Sequence, residues 1–381
     1  MEKKLVFFNN SLNHHQVLVA DELFKILGDE FVYVAICPVG TVNLKGGEDY
    51  SNRSYCLKAS ESIESQNLAL QLSRNAGVCV FGAESMPYAK ERARYNPKGL
   101  SFEVGERWLK KGWINVLSPN LIKWWWAYQT LFRKANFYKL CASAYAACDH
   151  NKLFTYKEKC FKWGYFTNVD YPVDEGKRNE ADSNKITILW CARFLDWKHP
   201  ELVIKLARIM KDNGRQVIID MYGAGVELER TKKMCRDLGV QDIVNFKGVV
   251  PNDEVLMAMR KHDIFLFTSD KNEGWGVVLN EALSNGCTVI TSNEVGSAPY
   301  LINDGVNGMI FESNNVETLY EKVIYLLDHP DLRKSMVQKG RQTMMSVWSP
   351  KNAARNLLKL INDLQNNKPS SIIDGPASIA Y

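Results

Sequence analysis

Short apolar runs alternate with amphipathic segments along most of the chain. In the first half, apolar runs at residues 5–8, 31–36 and 77–81 predict strands, and residues 16–27 predict a helix. Residues 140–147 predict either a strand or a helix, because a short apolar run does not distinguish the two. Strands that alternate with helices favour a parallel sheet with crossover helices.

The second half alternates more regularly, and its pattern is typical of a doubly wound α/β domain. Such a domain binds its ligands at the carboxyl ends of its strands. The predicted strands are 186–191, 216–221, 243–246, 264–267, 288–291 and 309–311. The predicted helices are 200–211, 227–238, 253–261, 277–285 and 316–327, followed by 331–345 and 350–366.

A change of composition divides the chain in two. Residues 173–184 are polar and charged and contain no aromatic residue, which is typical of a linker. A length of 381 residues also favours two domains. We therefore predict two Rossmann-like, doubly wound α/β domains that face each other across a cleft. The predicted segments are a first domain (1–170), a linker (171–184), a second domain (185–348), a C-terminal helix (349–366) and a flexible tail (367–381).

The composition predicts a globular protein of the cytoplasm. Hydrophobic residues make up 46% and charged residues 24%, and a net charge of +5 is too small to indicate nucleic-acid binding by itself. The nine cysteines are dispersed without a CxxC pair, as expected for reduced thiols. The apolar run near Met1 has four residues and predicts a strand rather than a signal peptide. No stretch approaches the roughly 20 apolar residues of a membrane-spanning helix.

Two glutamates flank a glycine turn in the second half. The predicted strand 264–267 leads into a polar loop, and Gly274-Trp275-Gly276 then opens a helix. Glu273 precedes this turn, and Glu281 follows it within the helix. Glu281 suits the two hydroxyls of a ribose, and Glu273 suits a second sugar. The alternative is a solvated helix residue and a loop acid near a helix N-terminus.

Two cations follow the first strand of the same domain. Arg193 and Lys198 come after residues 186–191. A guanidinium and an ammonium group at this strand end suit a diphosphate. The alternative is that both are ordinary surface cations. Gly223-Ala224-Gly225 follows the next strand, and Val244-Asn245-Phe246-Lys247-Gly248 belongs to the one after it. Successive strand ends therefore carry a tight turn or a charge.

This order of motifs resembles the retaining, nucleotide-sugar-dependent glycosyltransferases of family 4, which have the GT-B fold. The resemblance covers roughly residues 186–327. It implies that Arg193 and Lys198 hold the donor diphosphate, that Glu281 binds the ribose, and that backbone at 247–250 contacts the base. Glu273 would hold the donor sugar. The implied catalytic residues are Arg193, Lys198 and Glu273, and the implied donor-binding residues are Gly223, Lys247, Val249, Gly274, Trp275, Gly276, Val277 and Glu281.

The resemblance implies retaining hexosyl transfer to a glycan or lipid-linked acceptor in cell-surface polysaccharide synthesis. No cofactor is expected, because the nucleotide-diphosphate sugar is a substrate. We expect metal independence, since no acidic cluster has metal-ligand spacing. The chain departs from the family at Ala192, at residues 296–300, and at residues 9–15, where a glycine-rich loop is usual.

Three other functions compete with sugar transfer. A glycosidase would have no use for the paired cations and glycine turns. A nicotinamide-dependent dehydrogenase would carry GxGxxG after the first strand, and residues 8–13 lack it. A non-catalytic module that binds a nucleotide sugar or a membrane surface is the main alternative, because fold alone does not give chemistry.

Candidates for the acceptor side lie in the first half. His14 and His15 follow the first predicted strand, where a histidine could act as a base, bind the acceptor, or have no chemical role. Glu103 is a similar candidate, as are Glu106 and Arg107.

Residues 107–139 form a basic aromatic stretch. They contain seven Lys or Arg residues, five of the ten tryptophans and no acid. This composition suits an anionic membrane surface, which a lipid-linked acceptor would require. The alternative is that the tryptophans belong to the core and the cations to its solvated flank. Single-stranded nucleic acid uses similar groups, but nothing else in the sequence supports it.

Overall fold

The computed structural model describes residues 3–37, 50–169 and 185–381. The chain divides into two compact units. The first unit comprises Met1–Thr167 together with Val347–Tyr381, and the second comprises Asn168–Ser346. The predicted linker, residues 171–184, lies outside the described residues. The predicted fold class of two parallel α/β units is confirmed.

The first unit is built on a seven-stranded parallel sheet. Its strands are β1 (Leu5–Asn9), β2 (Phe31–Ala35), β3 (Cys56–Lys58), β4 (Val78–Phe81), β5 (Ser101–Gly105), β6 (Phe137–Cys141) and β7 (Cys160–Lys162). They lie in the order β3-β2-β1-β4-β5-β6-β7, so the direction of winding reverses between β1 and β4. The helices that precede the second unit are α1 (Val17–Leu27), α2 (Ile63–Asn75), α3 (Met86–Tyr95), α4 (Pro119–Thr130) and α5 (Ala146–Lys152).

The second unit has a six-stranded parallel sheet in the order β10-β9-β8-β11-β12-β13. Its strands are β8 (Ile186–Cys191), β9 (Val217–Tyr222), β10 (Val244–Gly248), β11 (Ile264–Phe267), β12 (Thr288–Ser292) and β13 (Met309–Phe311). Its helices are α6 (Pro200–Asp212), α7 (Leu228–Asp237), α8 (Asn252–Lys261), α9 (Val278–Ser284), α10 (Ala298–Leu301), α11 (Val316–Asp328) and α12 (Pro330–Gln342). The winding reverses between β8 and β11, and ligands of doubly wound sheets bind outside the strand ends at such a point.

Apolar side chains of helices and strands form the core of each unit. In the second unit, Val203, Leu206 and Met210 of α6 belong to the same buried cluster as Ile188 and Trp190 of β8. These positions recur every three or four residues, as expected for a helix with one buried face. No helix in the described parts of the chain combines the length and apolar character needed to cross a bilayer.

The C-terminal segment belongs to the first unit. Helix α13 (Pro350–Gln365) packs against α1. The prediction of a flexible tail is wrong, because the backbone N–H of Ala380 donates to the carbonyl of Cys160 at 3.0 Å and Ile379 bridges Phe161 in antiparallel orientation. The tail thus occupies hydrogen-bonding groups of β7, which otherwise form an open sheet edge.

Candidate functional site

Two loops meet at the reversal point of the second sheet. Strands β8 and β11 are hydrogen-bonded neighbours, and their carboxyl ends lie at the same edge because the strands are parallel. Residues 192–198 follow β8, and residues 268–277 follow β11. The predicted catalytic residues all lie in these two loops.

Hydrogen bonds tie the two loops together. The indole of Trp190 in β8 donates to Thr268 Oγ1 at 2.9 Å, and the Thr268 hydroxyl donates to the carbonyl of Lys198 at 2.5 Å. The backbone N–H of Asp270 donates to the carbonyl of Trp197 at 2.9 Å. Since Trp190 and Thr268 are buried, this link is shielded from competing water and fixes where Lys198 lies.

Hydrogen bonds and close packing hold the glycine turn in place. The Trp275 ring is buried and donates from Nε1 to Asn280 Oδ1 at 2.9 Å. Its backbone carbonyl accepts from Ser297 N at 3.1 Å. Gly276 has φ +86°, and a Cβ there would lie 2.4 Å from the Phe267 ring. Trp275 is 1% exposed, and its side chain is therefore a structural anchor.

Lys198 and Glu273 form an ion pair across the two loops. Both side chains are largely buried, and the Lys198 ammonium lies 5.3 Å from the centre of the Phe267 ring. The cation assigned to the diphosphate therefore contacts the carboxylate assigned to the sugar. An ammonium has three donors, so it can hold Glu273 and a phosphate oxygen together.

Glu281 lies close to the same strand end. Burial raises the pKa of its carboxyl to about 7, although a hydrogen bond from Asn252 lowers it. Burial, and then the charge of Glu281, raise the pKa of the Cys191 thiol to about 12, whereas Lys198 lowers it. Both charges thus act on Cys191, the last residue of β8. Lys198 and Glu273 are thus in contact near this strand end, and Glu281 is close enough to Cys191 to affect the pKa of its thiol.

Arg193 lies two residues beyond Cys191, and its side chain is exposed. Within the described residues its guanidinium has no ion-pair or hydrogen-bond partner. Its loop is held by backbone contacts, because Gly223 has φ +127° and a Cβ there would lie 2.0 Å from the carbonyl oxygen of Ala192. Gly223 therefore positions the Arg193 loop through close packing of the two backbones.

Lys247 and Val249 lie at the far side of this edge. The Lys247 ammonium is 3.2 Å from Asp220 Oδ2, so its side chain is already paired. Val249 follows β10 and is exposed. The N–H of Gly223 donates to the carbonyl of Gly248 at 2.7 Å, which joins this segment to the Arg193 loop. The segment is thus two strands away from Lys198 along the sheet.

His199 is a site-forming residue that the sequence analysis missed. Its Nδ1 is 2.9 Å from Glu201 Oε1, and its Nε2 is 3.3 Å from Asp270 Oδ2. Burial lowers the pKa of His199, but its hydrogen bonds to Asp270 and Glu201 outweigh burial and raise the pKa to about 9. The ring is therefore cationic at neutral pH and ties the loop after β11 to the start of α6. The local sequence His199-Pro200 does not reveal that His199 contacts Asp270, because the two residues are far apart along the chain.

This cluster predicts a pH-dependent contribution to stability. The pKa of His199 is raised above the ordinary 6.5, so its contribution is complete below pH 6.5 and is lost as the pH rises through about 9. Between pH 6.5 and about 9, the free energy of unfolding of the unchanged protein should fall by roughly 1–3 kcal/mol more than that of His199→Asn. Asparagine tolerates the left-handed backbone at this position (φ 48°) but carries no charge. Urea unfolding at several pH values measures the difference, and parallel curves for the two proteins would contradict it.

The histidine pair lies at the reversal point of the first sheet. His15 lines an open pocket within the first unit, together with Asn9, Val80 and Phe166. Burial and the neighbouring His14 lower the pKa of His15 to about 3, so its ring is neutral. The Nδ1 atom of His15 is buried without a hydrogen-bond partner in the described structure, while His14 is exposed.

Glu103 does not lie at a surface. Its carboxylate is 2.6 Å from the Lys139 ammonium, and the exposed fractions of the two side chains are 6% and 0%. The acceptor role predicted for Glu103 is therefore wrong, because β5 and β6 place this pair inside the first unit. Arg107 is likewise engaged, with Nη2 at 3.1 Å from Asp149 Oδ1.

Part of the chain is similar in sequence to known glycosyltransferases. Residues 174–343 match the family model of glycosyl transferases group 1. An uncharacterized glycosyltransferase, MJ1069 of Methanocaldococcus jannaschii, is 26% identical over 194 residues, which are 51% of this chain and 49% of the relative. The poly(glycerol-phosphate) alpha-glucosyltransferase of Bacillus subtilis is 30% identical over 178 residues, which are 46% of this chain and 25% of the relative. The chain thus spans half or less of the length of these relatives.

The fold also matches solved structures. Anabaena Alr3699/HepE, crystallised with UDP-glucose, aligns with a TM-score of 0.64 at 12% identity and covers 96% of this chain and 99% of that one. At this identity the match shows the fold alone. The matched family region contains all six strands of the second sheet and the loops with Arg193, Lys198, Glu273 and Glu281. Residues 174–343 of this chain are therefore similar to the glycosyl transferases group 1 family, and the chain shares the fold of two parallel α/β units with these solved structures.

Proposed function

We propose that this chain is a retaining glycosyltransferase that moves a hexose from a nucleotide-diphosphate donor to a glycan or lipid-linked acceptor in cell-surface polysaccharide synthesis. The observation that carries the proposal is the grouping of Lys198, Glu273 and Glu281 at the end of β8, with the unpartnered Arg193 two residues beyond it. This grouping stands at the reversal point of a doubly wound sheet, where a nucleotide binds.

Each group has a role in the proposed reaction. Breakage of the sugar–diphosphate bond leaves negative charge on the departing diphosphate and positive charge on the sugar ring. Arg193 and Lys198 stabilise the diphosphate electrostatically, and Glu273 orients Lys198 while it contacts the sugar. Ribose hydroxyls donate to Glu281, which favours the ionised form of its carboxyl, although burial favours the neutral form.

The known relatives support the same chemistry. The Bacillus subtilis relative is a poly(glycerol-phosphate) alpha-glucosyltransferase, and the Anabaena structure holds UDP-glucose. The proposed partners are accordingly a nucleotide sugar, a glycan or lipid-linked acceptor and, through residues 107–139, an anionic membrane surface. His14 and His15 are the proposed acceptor contacts, and the proposed location is the cytoplasm at the inner face of the membrane. Nucleic acid is not among the proposed partners.

The proposal also includes metal independence. Arg193 and Lys198 supply two positive charges where the diphosphate would lie, which is the charge that a divalent ion supplies in other phosphate sites. Transfer should therefore persist in the presence of a chelator such as EDTA. Loss of activity in EDTA that is restored by magnesium would overturn this part of the proposal.

A thermal-shift screen of nucleoside diphosphates and their sugars tests the function. The matching nucleotide at 100 times its Kd should stabilise the second unit by about 2.7 kcal/mol and raise its Tm by roughly 5–10 °C. Glu281→Ala should abolish the shift. The matching nucleotide sugar should also be hydrolysed slowly, which a non-catalytic binding module would not do. The absence of a shift with every nucleotide would sink the proposal.

A further inference from the structure

Large apolar side chains are exposed on one part of the first unit. They are Trp113, Ile114, Leu117, Ile122, Trp126 and Phe154, which we call the tryptophan patch. Trp113 is 62%, Trp126 61% and Phe154 84% exposed. Soluble surfaces rarely gather so many large apolar groups without a partner.

Five of these side chains lie on two consecutive helical segments that pack against each other. Residues Gly112–Leu117 form a 3₁₀ helix, in which positions three apart, such as Ile114 and Leu117, share a face. Helix α4 follows after Ser118 and packs against this 3₁₀ helix. Ile122 and Trp126 are four residues apart on α4 and therefore share a face.

Phe154 joins the patch from another segment. The Gln129 amide of α4 donates to the carbonyl of Phe154 at 3.3 Å, and the indole of Trp125 donates to the carbonyl of Leu153 at 3.0 Å. Phe154 itself has φ 55°, an unfavourable conformation for an aromatic residue. The turn thus holds an exposed phenyl ring beside α4.

The other tryptophans of the basic aromatic stretch are structural. Trp124 packs against the core of the first unit, Trp125 makes the hydrogen bond to Leu153, and Trp108 lies 4.5 Å from His150, between ring centres. The alternative that the tryptophans belong to the core therefore holds for these three residues. Of the five tryptophans in the basic aromatic stretch, only Trp113 and Trp126 have largely exposed side chains.

The charges around the patch are positive. The exposed cations of the neighbouring segments are Lys111, Lys123, Arg133, Lys134 and Lys152. Glu106 is paired with Lys110 and Asp149 is buried against Arg107, so neither offsets these charges. Lys157 and Glu158, both exposed, follow the turn and balance each other.

We infer that the tryptophan patch docks this chain on an anionic lipid bilayer. Tryptophan rings favour the headgroup region, aliphatic side chains enter the acyl boundary, and flanking cations meet anionic headgroups. A second copy of the chain fits less well, because a symmetric contact would bring the cations of two patches together. The inference deepens the proposed function by placing a lipid-linked acceptor beside the first unit, but it does not depend on sugar transfer.

Sedimentation of the full chain with vesicles tests this inference. The chain should bind vesicles with roughly one-third phosphatidylglycerol at low salt, and should bind phosphatidylcholine vesicles or anionic vesicles in about 0.5 M salt at least tenfold more weakly. Trp113→Ala combined with Trp126→Ala should lower the partition coefficient at least tenfold. Ile63→Ala combined with Tyr95→Ala is the matched control, because both residues are exposed in the same unit but lie outside the patch.

The outcomes separate this inference from the proposed function. Lys198→Ala should bind vesicles like the unchanged chain, whatever its effect on sugar transfer. Failure of the unchanged chain to bind anionic vesicles at low salt would overturn the inference, as would equal binding by the patch variant. Conversion of a dimer to a monomer by Trp126→Ala, without vesicle binding, would assign the patch to a second copy instead.

Discussion

Arg193→Ala and Lys198→Ala should each lower kcat at least tenfold, which corresponds to about 1.4 kcal/mol of barrier. Removal of a preorganised charge that acts on the leaving group typically lowers kcat by about 10²–10³. Because the Arg193 guanidinium has no hydrogen-bond or ion-pair partner in the described structure, its removal breaks no hydrogen bond or ion pair of the folded state. A loss of kcat in Arg193→Ala with an unchanged Tm would therefore report on chemistry alone. Steady-state kinetics with the donor found by thermal shift measures the effect.

Two variants serve as controls for this prediction. Lys205→Ala removes an exposed cation from α6 of the same unit and should leave kcat unchanged. Glu281→Ala should chiefly weaken donor binding, since its proposed contact is with ribose and is the same before and during the reaction. If both cation variants retain more than a tenth of kcat, the diphosphate role of Arg193 and Lys198 is wrong.

Glu103→Leu should lower the free energy of unfolding of the first unit by about 3–5 kcal/mol, because it leaves the Lys139 ammonium buried without its counter-charge. Glu103→Leu combined with Lys139→Met should recover most of this loss, since it removes both buried charges. The matched control is Asp374→Ala, which breaks an exposed ion pair with Lys162 in the same unit and should cost less than about 1 kcal/mol. Chemical denaturation of the four proteins gives the comparison.

This prediction also separates a structural role for Glu103 from an acceptor role. If Glu103 has only a structural role, Glu103→Leu combined with Lys139→Met should leave the KM for the acceptor unchanged. Its rate should match that of the unchanged protein once it is corrected for the folded fraction. A double variant that is fully folded but has lost acceptor affinity would restore the acceptor role.

The second unit could be predicted from sequence because its strands are nearly uninterrupted apolar runs. Residues 186–191, 264–267 and 309–311 are strands with the predicted bounds. In the first unit, β5 and β6 carry Glu103 and Lys139 at central positions, which interrupt the apolar pattern. The two charges are 36 residues apart, so the sequence does not reveal that they neutralise each other in adjacent strands.

The candidate site could also be predicted from the sequence only in part. Glycines and charges after successive strands were visible in the sequence, because strand ends of a parallel sheet share an edge. The Lys198–Glu273 ion pair and the His199–Asp270 contact were not visible, because each joins residues about 70 positions apart. The Gly223 turn was interpreted as a ligand contact, but in the structure its missing Cβ makes room for the carbonyl of Ala192.

The return of α13 and residues 367–381 to the first unit has a consequence for biosynthesis. The second unit is one continuous segment and can complete its core while later residues are still being translated. The first unit needs Ala380 on β7 and α13 against α1, so its helix layer and sheet edge stay incomplete until those residues leave the ribosome. The unit that begins synthesis first thus finishes folding last. A chaperone that shields the nascent chain would accordingly engage the open face beside α1 for most of translation.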